Sequence, residues 1–234
     1  HCQCRRQRQM CIRDRVDAIF ESTSGWTTTG ATVLSNIENL NKPLLLYRQL
    51  LQWLGGIGIV VLVLAILPIL GVGGMYLYKA ETSSPVKDNK LSPRITETAK
   101  SLWGVYIVLT IACAVLYKIA GMSYFDAIGH SFSTVSIGGF STHDASIGFY
   151  SSDLIKIICM VFMFLSALNF VLHFLFYKNK SLTVYTSNSE MKSFLLIIII
   201  LLSLVAIFSI SGRTQSLQNI DIMFHILSFT TTSG

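Results

Sequence analysis

Four apolar blocks organise this chain of 234 residues: 53–78, 101–120, 154–177 and 194–210, the last gaining length from Ser193 and Ser211. A helix that crosses a bilayer needs about 17 to 25 mainly apolar residues, and the blocks meet or approach that length. Stretches such as "VVLVLAIL" and "LLIIIILL" are apolar all round, without the polar face that a surface helix of a soluble core presents. The pattern predicts four spanning helices. Beside the spans lie segments too polar for lipid and too apolar for ordinary loops. One holds "GWTTTG", whose run of threonines resists a regular helix because β-branched side chains lose rotamer freedom and hydroxyls compete for the backbone.

Those segments repeat. Aligned without gaps they read "DAIFESTSGWTTTG" (17–30), "DAIGHSFSTVSIGG" (126–139) and "DIMFHILSFTTTSG" (221–234). Asp17, Asp126 and Asp221 lead, and Gly30, Gly139 and Gly234 close. His130 and His225 share a register, with Glu21 in their place in the first copy. The second and third copies follow apolar spans, and the first and second precede them, so the unit is helix, half-buried hairpin, helix. An aspartate suits a helix N-terminus, where free N–H groups and the positive dipole end meet its carboxylate. A short helix entering from outside then points its partly negative C-terminal end into the membrane, which favours a cation. The returns, "TTTGAT" and "SIGGFST", are irregular backbone, tolerated at membrane depth only where protein buries it or it lines a water-filled cavity. Carbonyl rings in such returns replace the hydration shell of a cation.

Composition agrees with a membrane protein: 52% of residues are hydrophobic and 13% charged, against about 25% charged in ordinary soluble domains. The net charge of +6 is concentrated in residues 1–15, which hold five arginines against one aspartate, so the remainder carries about +2, too little to argue for nucleic acid. That tail also holds Cys2, Cys4 and Cys11 in no zinc-binding spacing and has no apolar signal core. It reads as a fragment end or non-native sequence. Cys113 and Cys159 lie within spans as small apolar residues. Lys79, Lys87, Lys90, Arg94 and Lys100 after the first span, and Lys178, Lys180 and Lys192 after the third, place those connections in the cytoplasm and the repeated loops outside.

Other polar residues divide between packing and function. Asn169 and His173, spaced i, i+4, share one face of the third span and read as interhelical contacts. Lys118 and Lys156 near outer span ends are expected to snorkel. His143 and Asp144, beyond the second loop, either tune the outer mouth or belong to a solvated loop, and Pro68 is expected to kink its span.

"FESTSGWTTTGATVL", "LLQWLGGIGIVVLVLAILPILGVGGMYLYKAET", "KLSPRITETAKSLW", "GMSYFDAIGHSFSTVSIGGFSTHDASIG" and "NFVLHF" together resemble the TrkH branch of the Trk/Ktr/HKT superfamily of potassium transporters, from about Val16 to Gly234. The resemblance implies an all-α polytopic membrane protein of M-P-M repeats (helix, re-entrant pore helix with filter loop, helix), K+ as the transported ion with no covalently bound cofactor, a homodimer, and a cytosolic nucleotide-binding regulatory ring of the TrkA type. It implies a bacterial plasma membrane, the inner one in a Gram-negative cell. Carried onto this chain, the potassium filter is Thr27, Thr28, Thr29 and Gly30 in the first repeat and Ser136, Ile137, Gly138 and Gly139 in the second. The third begins with Thr231, Thr232, Ser233 and Gly234. The expected division is a tail over 1–15, a first repeat over 16–98 lacking its first helix, a complete second repeat over 99–190, and a third over 191–234 truncated at its filter. The fourth repeat and the gating loop that the family places after the third filter are absent, so the chain reads as part of a transporter. The competing class is a membrane sensor or intramembrane enzyme using the outer loops as a ligand pocket. No "HExxH" or convincing Ser-His pair supports the enzyme.

Overall fold

The computed structural model describes residues 15–66, 95–210 and 219–233, and every regular element among them is helical. In chain order these are α1 (15–26), a 3-10 turn at Ile37–Asn39, α2 (Lys42–Ile66), α3 (Ile95–Ile119), α4 (Tyr124–Ser136), a 3-10 turn at Ser146–Phe149, α5 (Asp153–Ala167), α6 (Phe170–Asn179), α7 (Thr183–Ser187), α8 (Ser189–Ile210) and α9 (Asn219–Thr230). Residues 1–14, the end of the first span with Pro68, the connection carrying Lys79, Lys87, Lys90 and Arg94, and Gly234 lie outside the described residues.

The long helices turn apolar side chains outward. On α3, Val108, Ile111, Val115 and Ile119 are exposed at helical spacing while Tyr106, Cys113 and Tyr117 on the opposite side are buried. On α8, Leu196, Ile197, Ile199, Ile200 and Leu204 are exposed. Buried polar groups and an exposed apolar stripe invert the soluble pattern, and a lipid surround accounts for both. The short helix α4 packs among α2, α3 and α5, and α9 packs in the same way against α5 and α8. Each short helix thus sits between the long helix before it and the second helix of the preceding unit.

Two spans differ from the sequence expectation. The first does not start at Trp53: α2 begins at Lys42, and Arg48, Gln49 and Gln52 on its added turns are buried. Their polarity hides this part of the helix from a hydropathy reading; Arg48 pairs with Glu21 of α1 and Gln52 bonds to the second loop. The third does not run unbroken: α5 ends at Ala167, and the axis bends by 93° before α6. No proline or glycine marks the break. His173, in the first turn of α6, reaches back across it, with Nε2 2.9 Å from the Leu165 carbonyl, which also accepts the Leu168 N–H, and Nδ1 2.8 Å from the Tyr185 hydroxyl of α7. Asn169 and His173 therefore do not share the face of one helix, and His173 joins three of them.

The lysines near the outer span ends have defined partners. The Lys156 ammonium lies 2.5 Å from Asp221 in the first turn of α9 and 3.8 Å from Asp153. Lys118 donates to the Met122 carbonyl at 3.2 Å and lies 4.0 Å above the Tyr124 ring.

Candidate functional site: three converging loops

Helices α1, α4 and α9 end alike. In the first, the Thr28 N–H reaches the Gly25 carbonyl and the Thr29 N–H the Ser24 carbonyl; in the second, Ile137 reaches Thr134 and Gly138 reaches Ser133; in the third, Thr232 reaches Phe229 and Ser233 reaches Ser228. This is the Schellman closure, whose left-handed residue is usually glycine. Here Thr28, Ile137 and Thr232 hold it, at φ of 55°, 56° and 61°. All three are β-branched, and each such conformation costs about 1–3 kcal/mol that surrounding structure must offset. The same bonds show Ser24, Ser133 and Ser228 in one register, each seven residues after its leading aspartate, a signal the sequence carries and the histidine alignment alone does not exploit.

The loops after these closures meet. Gly30 has φ +77°, and a Cβ placed there would stand 2.1 Å from the Gly138 carbonyl oxygen. Gly139 has φ +83°, and its Cβ would stand 2.2 Å from the Ser233 carbonyl oxygen. The closing glycine of one loop thus lies against the penultimate carbonyl of the next, twice over, so the three loops abut one another in chain order. Only a residue without Cβ fits such contacts at positive φ. The negative dipole ends of the three short helices lead directly into this region. Of the sequence-predicted residues, Gly30, Gly138, Gly139 and Ser233 are in contact between loops, the others lie on the same three segments, and Gly234 is outside the described residues.

Behind the loops stand Glu21 and His130, to which the sequence reading gave a shared register but no role, and Arg48, which it did not single out. Glu21 on α1 accepts from the Thr32 hydroxyl and from the Val33 N–H at 2.8 Å, and pairs with Arg48 of α2 at 3.1 Å. Both side chains are buried, at 8% and 4% exposure. The Arg48 guanidinium also lies 4.3 Å from the Phe140 ring centre and 3.1 Å from the Thr32 hydroxyl. At the equivalent place in α4, His130 has Nε2 3.5 Å from the Ser141 hydroxyl and 3.3 Å from Thr142. Thr32 and Ser141 each stand two residues beyond their closing glycine, so a carboxylate in one repeat and an imidazole in the other hold corresponding points of the returning chain. Register with His130 is the signal that finds Glu21.

The outer end combines packed and exposed residues: Asp144 and Phe149 are exposed and His143 is half-buried. The His143 ring stacks on Phe149 at 3.8 Å, with Nδ1 3.4 Å from Glu38 and Nε2 3.5 Å from Asp126. Asp144 accepts the Ile37 N–H at 3.1 Å, tying the first return to the second. Asp126 is not the cap of α4: Ser123 is, accepting the Asp126 N–H at 3.1 Å while its hydroxyl donates to the Asp126 carboxylate at 2.7 Å. Burial opposes ionisation of Asp126. Hydroxyl donors on Ser123 and Thr142 and the imidazoles of His143 and His130 outweigh it, so its carboxyl titrates below the ordinary carboxylate range. Among the described residues no His, Cys, Asp and Glu group has the arrangement of a metal site.

Apolar helices facing outward around buried polar loops define the class, an all-α polytopic membrane protein. Comparison makes it particular. The family model for TrkH, described as a cation transport protein, matches residues 6–197. The chain belongs to the TrkH family, within the Trk/Ktr superfamily. It is 52% identical over 221 residues to the Trk system potassium uptake protein TrkH of Halomonas elongata, covering 93% of this chain and 46% of that protein. The protein of the same name in Escherichia coli K12 is 50% identical, with the same coverage. The crystal structure of the potassium transporter TrkH from Vibrio parahaemolyticus matches with a TM-score of 0.74 and 45% identity, over 92% of this chain and 43% of that one. The chain thus spans about half the length of the relatives it matches.

Proposed function

We propose that the full-length protein takes K+ into the cell along a path whose narrowest part is formed by Thr27–Gly30, Ser136–Gly139 and Thr231–Gly234 with a fourth loop beyond this chain. One observation carries this reading: loops with the same left-handed closure converge so that Gly30 and Gly139 each abut the neighbouring loop's carbonyl. Repeats over 16–98, 99–190 and 191–234 follow from it, in a multi-pass protein of a bacterial plasma membrane. The Trk system name of the relatives supports a multi-component assembly, and the reading extends to a homodimer with a cytosolic nucleotide-binding subunit of the TrkA type. The driving force is adequate without hydrolysis, since a potential of 100 mV is worth about 2.3 kcal/mol per charge, roughly 50-fold accumulation.

The full-length protein reconstituted in vesicles is expected to pass K+ down an imposed potential. Vesicles that show no flux above protein-free controls would overturn the reading and favour a sensor or enzyme. Topology is checked separately. Tyr124 and Ser151 are exposed at the outer ends of α4 and α5, so cysteines at both positions are expected to react with an impermeant thiol reagent added outside intact cells. Reaction only after the cytoplasmic side is opened would reverse the orientation.

A further inference from the structure

Gln52 is fully buried on α2, in the first repeat, yet its amide serves the loop of the second. Nε2 donates to the Gly138 carbonyl at 2.6 Å, and Oε1 accepts the Phe140 N–H at 3.1 Å. The orientation of the amide is fixed by its partners, because a carbonyl needs a donor and an N–H an acceptor. One side chain therefore closes a peptide-like pair of bonds on residues either side of Gly139. Gly138 also matches it in shape: a Cβ there would meet the Gln52 amide at 2.5 Å. The Gly138 carbonyl it holds is the one that Gly30 abuts.

The next repeat uses the same relation with different chemistry. Gln52 is the eleventh residue of α2, and Met163 is the eleventh of α5. The Ser233 hydroxyl donates to the Met163 sulfur at 2.8 Å, and Ser233 precedes Gly234 as Gly138 precedes Gly139. Each repeat's second helix thus buttresses the following loop at its penultimate residue, by a two-point amide at the second loop and a single weak thioether acceptor at the third. A small cavity of about 30 Å³ lies between the second and third units, lined by Gly139 and Phe140 of the second loop as well as by Met163, Ser228 and Ser233.

We propose that Gln52 is a positioning residue for cation selectivity: it fixes the Gly138 carbonyl and the Phe140 amide, and through them the spacing between the first and second loops. The inference rests on the reading of these loops as the cation path. Gln52→Met keeps the volume, installs the side chain found at the equivalent place, and leaves a buried carbonyl and a buried N–H without partners. Gln52 itself meets no ion in this account, so its effect is on the ratio between ions, which the amount of protein in the membrane does not change.

The test measures K+ and Na+ uptake by the full-length protein in cells, with Gly139→Ser beside Gln52→Met. Gln52→Met is expected to lower the K+ to Na+ ratio about tenfold, equivalent to 1.4 kcal/mol, and to raise the K+ concentration at half-maximal uptake. A ratio at the parental value in Gln52→Met with a reduced ratio in Gly139→Ser overturns the role of Gln52 and leaves the path intact. Parental ratios in both overturn the path itself. Should Gln52→Met fail to reach the membrane, Gln52→Asn is read in its place: it keeps an amide but is one methylene shorter and does not span both the Gly138 carbonyl and the Phe140 N–H, and a parental ratio there overturns the proposal.

Discussion

Arg48→Met in the full-length protein is expected to reduce the folded transporter recovered from membranes several-fold and to lower its thermal midpoint in detergent. The arginine is the charge partner of Glu21, and both are buried. The carboxylate's remaining contacts, the Thr32 hydroxyl and the Val33 and Leu34 N–H groups, are donors but carry no charge. Stranding one member of a buried pair costs about 3–5 kcal/mol, a large share of the roughly 5–15 kcal/mol that holds a domain together. Packing is lost as well, since the guanidinium covers the Phe140 ring next to the second loop. The double variant Arg48→Met with Glu21→Gln is expected to recover most of the loss, because replacing both partners by neutral groups of similar size is far milder than removing one. Recovery and melting curves for the two singles and the double decide the matter. A double variant as damaged as the sum of the singles would show that Glu21 and Arg48 act independently.

Glu21 and Arg48 also mark where the sequence stops being legible. The repeat was readable because its signals are local: an aspartate, an apolar stretch and a closing glycine at fixed spacing around each short helix. Helix α4 and the convergence of Gly30 with Gly139 follow from that pattern and from the resemblance it supports. What holds the loops is not local. Gln52 lies 86 residues from Gly138, and a polar side chain ahead of an apolar block reads as the end of a span until its partner is known. The break after α5 is hidden for a related reason: it carries no proline or glycine by which a kink is usually recognised, and the contacts across it, His173 to the Leu165 carbonyl and to Tyr185, join residues that the sequence does not show to be neighbours. Left-handed Thr28, Ile137 and Thr232 run against propensity, since β-branched residues are the least suited to positive φ. Such a local rule broken identically in three copies is expected at a functional site, where tertiary contacts offset the strain.

Gly139→Ser tests that strained centre most directly. Its φ of +83° already disfavours any side chain, and the new Cβ would lie 2.2 Å from the Ser233 carbonyl oxygen, far inside contact distance. Either the third loop retreats or the second turns away, and both change the distance between neighbouring carbonyls. Favouring K+ over the more strongly hydrated Na+ depends on oxygens replacing a hydration shell, and about 1.4 kcal/mol of differential binding is a tenfold ratio. Gly139→Ser is therefore expected to lower the K+ to Na+ uptake ratio at least tenfold. Gly30→Ser is expected to act in the same direction, because its Cβ would meet the Gly138 carbonyl at 2.1 Å. Thr29→Val gives the contrast. Its hydroxyl lies 2.7 Å from the Thr27 hydroxyl on an exposed edge of the loop, and valine keeps both the shape and the backbone carbonyl. That variant is expected to stay within about threefold of the parent, under 1 kcal/mol. Ratios are measured at matched expression by competing K+ and Na+ uptake. An unchanged ratio in Gly139→Ser together with a large change in Thr29→Val would move selectivity from the backbone of these loops to their side-chain hydroxyls.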